Sequence, residues 1–375
     1  MDIYNDERIV MTLDAGGTNF VFSALQRGSE IVEPLVLPSN SHDLQQCLNT
    51  VVEGFKSVKA RLTVPPVAIS FAFPGPGDYK KGIIGDLPNF PSFRGGVALG
   101  PMLENVFDLP TFINNDGDLF TYGEAMAGML PEINQKLAEC GIKREYKNLF
   151  GITLGTGFGG GMVINNNLCE GDNSAAGEIW LTRNFLQPQL IAEEGVSIRA
   201  IKRVYKEETG MSGDLSPKDI YEIAMGQKEG NKQAALKAYS DMAVVIAESL
   251  AHAMTLVDGL IVIGGGIAGA AGLIVPKVIA HLNGSIQIGE ADKVPRLVSR
   301  VFNVDDPSSW EAFIDDNEIE ITVPFTDKKV NYRQEKRIAL GLSRLGTNKA
   351  VAMGAYAFAL NQLEKNKETH FEATK

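Results

Sequence analysis

The chain has 375 residues, 44% hydrophobic and 22% charged, an ordinary globular composition long enough for about two domains. A formal net charge of −11 argues against a protein whose main task is to bind nucleic acid or an anionic membrane, without excluding a nucleotide held at a local site. Cys47, Cys140 and Cys169 are scattered and odd in number, which fits a reducing cytosol better than a disulfide framework. The start, Met-Asp-Ile-Tyr-Asn-Asp-Glu-Arg, is polar and is no signal peptide, so a cytoplasmic location is expected.

Residues 8–25 read as strand, turn, strand: Val10, Met11 and Leu13 lead into Asp14-Ala-Gly-Gly-Thr-Asn19, and Phe20-Val-Phe-Ser-Ala-Leu25 leads out. Residues 40–59 read as a helix with Ser41 as N-cap and Leu44, Leu48, Val51, Val52 and Phe55 on one face. Val67-Ala-Ile-Ser-Phe-Ala-Phe73 is a buried strand that ends at Pro74-Gly-Pro-Gly77, and a loop containing Leu87-Pro-Asn-Phe90 follows. Thr111-Phe-Ile-Asn-Asn-Asp116 is a short strand, and 119–130 a helix with Pro131 just beyond its end.

Next comes Phe150-Gly-Ile-Thr-Leu-Gly-Thr-Gly-Phe-Gly-Gly-Gly-Met-Val-Ile164, an apolar run with five glycines between Leu154 and Met162. Glycines this dense weaken a strand, so either the stretch is a plain hairpin turn or its backbone N–H groups approach an anion closely. Residues 165–180 read as loop, and from Val196 about sixty residues are mainly helical, most clearly 236–257. Residues 259–276 hold no charge over 18 positions, at the threshold for a membrane span. Six glycines and a proline favour a buried strand, Leu260-Ile-Val-Ile263, then a glycine turn and a helix start. Residues 292–345 are charged and irregular and read as a surface elaboration, on the substrate side or at a subunit contact; 350–364 is a final helix.

Strands alternate with helices, so the chain is α/β. It also echoes itself. When Asp14 is aligned with Gly155, Gly16 falls on Gly157, so two strand–turn–strand units about 140 residues apart suggest a duplicated architecture. Gly16 and Gly17 let backbone N–H groups reach phosphate oxygens, and Thr18 and Asn19 add side-chain donors. Asp14 would repel a phosphate but suits Mg²⁺ held through water; a tight turn with Asp for turn chemistry is the alternative. Gly155, Thr156, Gly157 and Gly159 form the second candidate phosphate turn. Neither is a Walker loop, because no Gly-Lys-Ser/Thr follows. Gly264, Gly265 and Gly266 suit either a nucleoside against bare backbone or close helix–strand packing.

Asp116 ends a strand and precedes a helix, so it is either an N-cap or a general base for phosphoryl transfer. Asn89, Asn115, Glu178 and Glu193 are available as sugar ligands, each also readable as a solvated loop residue. His42, His252, His281 and His370 form no ligand cluster, and no zinc site is expected.

Together these stretches resemble the ROK family (repressor, open reading frame, kinase) of bacterial sugar kinases and sugar-sensing repressors. Asp14-Ala-Gly-Gly-Thr18 and Leu154-Gly-Thr-Gly-Phe-Gly-Gly-Gly161 are similar to its two phosphate motifs. Asn115-Asp116 with Gly123-Glu124 is similar to its catalytic Asn-Asp and downstream Gly-Glu. Ala176-Gly-Glu178, Pro88-Asn89 and Ile263-Gly-Gly-Gly266 resemble its sugar-side and nucleotide-side motifs. The family's zinc-binding His falls at Leu181, and its cysteine motif has no cysteines here; spacing to Ser197 and Ala200-Ile201 aligns that motif's final Glu with Glu193.

The resemblance implies an actin-like (ribonuclease-H-like) ATPase fold of two α/β domains with an interdomain cleft. The expected bounds are 1–115 plus 350–375 for the smaller domain and 116–349 for the larger, with an insert near 292–345. It implies an ATP- and Mg²⁺-dependent hexose kinase in which Asp116 deprotonates a hydroxyl, the 6-hydroxyl by expectation, and a homodimer. A non-catalytic sugar-binding or sugar-sensing regulator is the alternative. A DNA-binding role is not expected, since only about nine residues precede the first strand and leave no room for a helix-turn-helix.

Overall fold

The structure is a computed structural model that describes residues 2–75, 77–85, 92–211, 213–315 and 318–373. In chain order it runs β1 (Val10–Ala15), β2 (Asn19–Gln26), β3 (Ser29–Glu30), β4 (Leu35–Pro38), α1 (Leu44–Arg61), β5 (Ala68–Ala72), β6 (Gly77–Asp78), β7 (Ile83–Ile84), α2 (Leu99–Phe107), β8 (Thr111–Asn114) and α3 (Asp116–Ala127). It continues with α4 (Met129–Glu139), β9 (Leu149–Leu154), β10 (Phe158–Ile164), β11 (Asn167–Leu168), α5 (Ile198–Thr209), α6 (Pro217–Ala224), α7 (Lys232–Val257), β12 (Leu260–Gly264) and α8 (Ala271–Leu282). The last part is β13 (Ser285–Ile288), β14 (Asp292–Pro295), β15 (Ser299–Asn303), α9 (Pro307–Ile314), β16 (Glu318–Thr322), β17 (Lys329–Arg333), β18 (Lys336–Leu342) and α10 (Thr347–Ala373).

Contacts divide the chain into two compact units: Met1–Gly128, Gly161–Gly177 and Arg344–Lys375 in unit 1, and Met129–Gly160 and Glu178–Ser343 in unit 2. These bounds differ from the expected 1–115 plus 350–375 and 116–349. The reason lies in α3 and α10, which pack as one pair within unit 1. A Cβ on Gly123 would lie 1.9 Å from the Ala350 carbonyl oxygen, and one on Gly354 1.9 Å from that of Leu119. Two glycines let the helix backbones touch where any side chain would hold them apart. The fully buried Glu124 strengthens the joint by accepting the Leu345 N–H at 3.0 Å.

In unit 1 the sheet order is β3-β2-β1-β5-β8, with β4 also on β2. Strands β1 and β2 are antiparallel, and β1, β5 and β8 run parallel. The period of two sends Met11, Leu13, Phe20 and Phe22 into a core with Val51, Phe55, Leu103 and Phe107. Phe22 and Phe55 meet edge-to-face at 5.2 Å. Thr12 and Asp14 therefore share the other face, where Thr12 pairs with Ser23 and Asp14 with Val21.

The sheet that carries β9 has the matching order β11-β10-β9-β12-β18-β15, and the boundary between the units runs through β10. Strands β9, β12, β18 and β15 are parallel. The expected surface elaboration at 292–345 is corrected here. Residues Val301, Phe302, Ile338, Ala339 and Leu340 are buried core of unit 2. The hairpins β13–β14 and β16–β17 are exposed along most of their length.

Two smaller expectations also change. Asp43, not Ser41, caps α1, its side chain accepting the Gln46 N–H at 3.0 Å. Pro131 does not follow a helix but sits in the first turn of α4, where a missing N–H costs nothing. Residues 259–276 are the buried strand, glycine turn and helix start expected. It is α7 that has the length and apolarity of a span, and 56% of its most apolar window is buried inside the protein.

Candidate active site

In unit 1 the first glycine turn joins β1 to β2. A Cβ on Gly16 would lie 2.8 Å from the Asn19 carbonyl oxygen, so only glycine closes the turn this tightly. The end of β4 braces it: Ser39 donates its N–H to the Thr18 carbonyl at 2.9 Å and its hydroxyl to the Gly17 carbonyl at 2.6 Å. Thr18 and Asn19 stay exposed.

Asp116 opens α3. The N-cap is Asn115, whose Oδ1 accepts the Gly117 N–H at 2.7 Å; Asp116 Oδ1 shares that donor at 3.0 Å. The N-cap reading of Asp116 therefore passes to its neighbour. The backbone of β10 lies on this same turn, since a Cβ on Gly161 would come within 2.5 Å of the Gly117 carbonyl oxygen and 2.6 Å of Thr121 Oγ1.

Asp14 and Asp116 line one cavity of about 730 Å³ in unit 1, together with Thr12, Ser23, Ala72 and Lys349. Both carboxylates are exposed to it. Protein atoms nevertheless crowd them, and the lost hydration pushes each carboxyl above the ordinary carboxylate range. At Asp116 the Gly117 N–H bond opposes that rise and the charge of Asp14 adds to it. Ser23 Oγ, in the cavity wall, is buried and finds no hydrogen-bond partner among the described residues. The wall is otherwise mostly apolar, with Leu13, Val21, Val351 and Met353 in its lining, so the two carboxylates are polar anchors in an apolar setting, as in many ligand pockets. One exposed carboxylate at Asp14, with room for water around it, is the donor set that Mg²⁺ accepts.

In unit 2 the second glycine turn joins β9 to β10. Gly155 donates its N–H to the Gly157 carbonyl at 3.1 Å, and Thr156 is exposed at the tip. Gly264, Gly265 and Gly266 are brought beside it: Gly265, at φ +90°, would place a Cβ 2.3 Å from the Leu154 carbonyl oxygen. Glu193 is drawn to the same turn. Its Oε2 accepts the Phe158 N–H at 3.1 Å and its Oε1 pairs with Arg199 at 3.1 Å. Gly159 faces Thr153 on the neighbouring strand. Glu178 accepts the Trp180 indole N–H and precedes a short 3₁₀ turn at Ile179–Leu181. Leu181, where the family has its zinc-binding His, is 54% exposed. Asn89 lies outside the described residues. Among the described residues no group of three His, Cys, Asp or Glu side chains is close enough to hold a metal.

The ROK family profile matches residues 10–303. The chain belongs to the ROK family. It is 53% identical to the glucokinase of Parabacteroides distasonis, whose structure superposes with a TM-score of 0.88 over 96% of this chain and 99% of that one. Among curated relatives it is 30% identical to a glucokinase of Halalkalibacterium halodurans over 46% of its own length, and it spans about half (49%) of that relative. An N-acetyl-D-glucosamine kinase of Vibrio cholerae is 25% identical over 68% of this chain and 83% of the relative. The ROK chain thus has the actin-like ATPase fold.

Sequence reading missed the cavity wall around Asp14. The signal was present as Thr12 and Ser23, single hydroxyls inside otherwise apolar strands that the register sets opposite each other. Lys349 and Arg199 carried no comparable signal, because one lies at the start of a helix far along the chain and the other on a helix face rich in charge.

Proposed function

We propose that this ROK chain is an ATP-dependent kinase of a hexose or hexose derivative, with Asp116 as general base and the 6-hydroxyl as acceptor. The observation that carries the reading is in unit 1: Asp116, fixed by the Asn115-capped start of α3, lines the same cavity as Asp14. The names of the similar proteins, glucokinase and N-acetyl-D-glucosamine kinase, support the same substrate class.

Phosphoryl transfer asks a protein mainly for positioning and charge neutralisation. Backbone N–H groups of the two glycine turns would receive phosphate oxygens, and the exposed Thr18, Asn19 and Thr156 would add side-chain donors. Asp14 would hold Mg²⁺ through water; that ion, when bound, neutralises developing phosphate charge. Asp116, with its carboxyl raised toward neutrality, would take the proton of the sugar hydroxyl as its oxygen attacks phosphorus, a contribution of about 10²–10⁴ in rate. Asn115, Glu178 and Glu193 remain candidates for holding the sugar, as does Asn89.

A coupled ADP-release assay over glucose, mannose, N-acetylglucosamine and N-acetylmannosamine tests the reading. Turnover with at least one of them and its loss in Asp116→Asn is the expected outcome. No ATP-dependent phosphorylation of any of the four, or an unchanged rate in the variant, would sink it.

A further inference from the structure

We infer that Asn184 is a positioning residue: its buried side chain sets the shape of the loop 182–192 and so holds Glu193 where a sugar hydroxyl can meet it. The inference rests on the kinase reading above, with Glu193 as a sugar ligand, and adds a residue that acts through Glu193 rather than on the substrate.

The stretch 183–190 reverses the usual pattern of burial. Phe185, Leu186 and Leu190 are exposed, whereas Asn184 is the one buried residue of the stretch, 1% exposed. Apolar burial therefore does little to fix the loop, and hydrogen bonds take its place. Asn184 Oδ1 accepts the N–H of Leu186 at 3.0 Å and that of Gln187 at 3.1 Å. The Asn184 N–H goes to the Leu190 carbonyl at 3.0 Å, and the Leu190 N–H to the Gln187 carbonyl at 2.8 Å. A buried amide without such partners costs stability, so the side chain and the loop backbone hold each other in place. The amide also lies against Gly195, where a Cβ would stand 2.6 Å from Asn184 Nδ2.

The closed loop brings its two ends together. Arg183 and Ile191 form an antiparallel bridge, and Ala192 donates its N–H to the Thr182 carbonyl at 2.7 Å. Thr182 is anchored in turn: its hydroxyl meets Ser249 Oγ, on α7, at 3.1 Å and donates to the Ile179 carbonyl at 2.7 Å. One end of the loop leaves the 3₁₀ turn Ile179–Leu181, which Glu178 precedes; the other enters the 3₁₀ turn Ala192–Glu194. Asn184 thus closes the tie between the two unit 2 carboxylates proposed for the sugar. Residues 182–195 include no cysteine or histidine, so no thiolate or imidazole of this stretch shares the task. A ligand-holding carboxylate works only from a fixed position, and a small displacement of it is enough to lose the contact.

The test compares wild type with Asn184→Ala and Asn184→Asp. Alanine removes the acceptor; aspartate keeps an oxygen for both N–H groups. Affinity for glucose, mannose, N-acetylglucosamine and N-acetylmannosamine is measured by calorimetry, and KM for sugar and for ATP by steady-state kinetics. The expected order of sugar affinity is wild type, then Asp, then Ala, with Ala weaker by about tenfold and a smaller rise in ATP KM. Hydrogen exchange across 184–190, followed by mass spectrometry, should quicken in Ala more than in Asp. Sugar affinity unchanged in Ala, an ATP KM that rises as far as the sugar KM, or Asp as weak as Ala overturns the inference. Should Ala fail to fold, Gly195→Ala, which presses a Cβ on the Asn184 amide, must show the same selective loss of sugar affinity. The two readings fail separately. A wild type that binds a sugar without phosphorylating it refutes the kinase assignment, and the affinity order still decides the role of Asn184. A wild type that binds none of the four sugars refutes both.

Discussion

The two glycine turns of this ROK chain have the same strand–turn–strand form, yet they reach it by different means. The first carries its own carboxylate: Asp14, next to last in β1, faces a cavity, and the Asn19 carbonyl crowds Gly16. The second has Gly155 where the first has Asp14, and its carboxylate is brought in from Glu193, 35 residues past Phe158. Within each turn the glycines also divide into two kinds. Gly16, Gly157 and Gly161 are crowded by the protein itself, whereas Gly17 and Gly155 have nothing within 4 Å of where a Cβ would be. At the first kind a side chain would force a neighbour to move; at the second it would not.

The largest expected effect tests the carboxylate side of this comparison. Asp116→Asn should lower kcat by about 10²–10⁴. Burial raises the Asp116 carboxyl, so the folded chain holds its proton to higher pH than the unfolded chain does. Ionisation then costs stability as pH rises from the unfolded to the folded pKa, and that cost persists above it. Thermal melts of Asp116→Asn at neutral pH should therefore lie at or above those of wild type, with the difference vanishing below the ordinary carboxylate range. In wild type, the acid limb of kcat should lie above the pH at which an unperturbed Asp ionises. A variant that loses both activity and stability would mean that Asp116 is structural.

A smaller effect tests a crowded glycine. Gly161→Ala forces a Cβ against the backbone of Gly117, one residue past Asp116. Overpacking of this kind costs about 1–3 kcal/mol, and a shift of the base by about 1 Å costs on the order of 10² in kcat. Melting temperature and kcat should fall together, whereas KM for ATP should change less. If the substitution leaves melting temperature unchanged, β10 does not bear on α3 as described.

Much of this was open to reading from the sequence, and the limits have physical causes. The turns were legible because long apolar runs on both sides leave little choice but a strand, and Asp14 and Asp116 were legible because each sits at a strand end beside small polar residues. Strands β15 and β18 were not. Ser299-Arg-Val-Phe-Asn303 and Lys336-Arg-Ile-Ala-Leu-Gly-Leu342 mix charge with short apolar runs, and β18 is made a core strand by its parallel partners on both sides, β12 and β15. The Asp43 cap lost to Ser41 because either polar residue satisfies the local rule, and only the backbone at Gln46 decides between them. The partner of Glu193 could not be read at all, since a hydrogen bond to a backbone N–H leaves no mark on the residue that donates it.

The smallest expected effect is the most diagnostic of the comparison. Among the described residues, a Cβ on Gly155 or Gly17 meets no atom within 4 Å apart from its own chain neighbours, and neither residue has left-handed backbone. Replacing either with alanine should therefore leave stability within about 0.5 kcal/mol, as for a change that touches no packed group. Any loss must come from what approaches the turn from outside. An ATP KM raised by about tenfold with an unshifted melt would mean that phosphate occupies the space the Cβ takes, because a backbone anion site tolerates no side chain between its N–H groups and the ligand. Gly155→Ala and Gly17→Ala should behave alike in this, although the two turns differ in how they carry charge. If only one raises the KM, the repeated form is an echo of the fold alone, and one of the two turns serves no nucleotide.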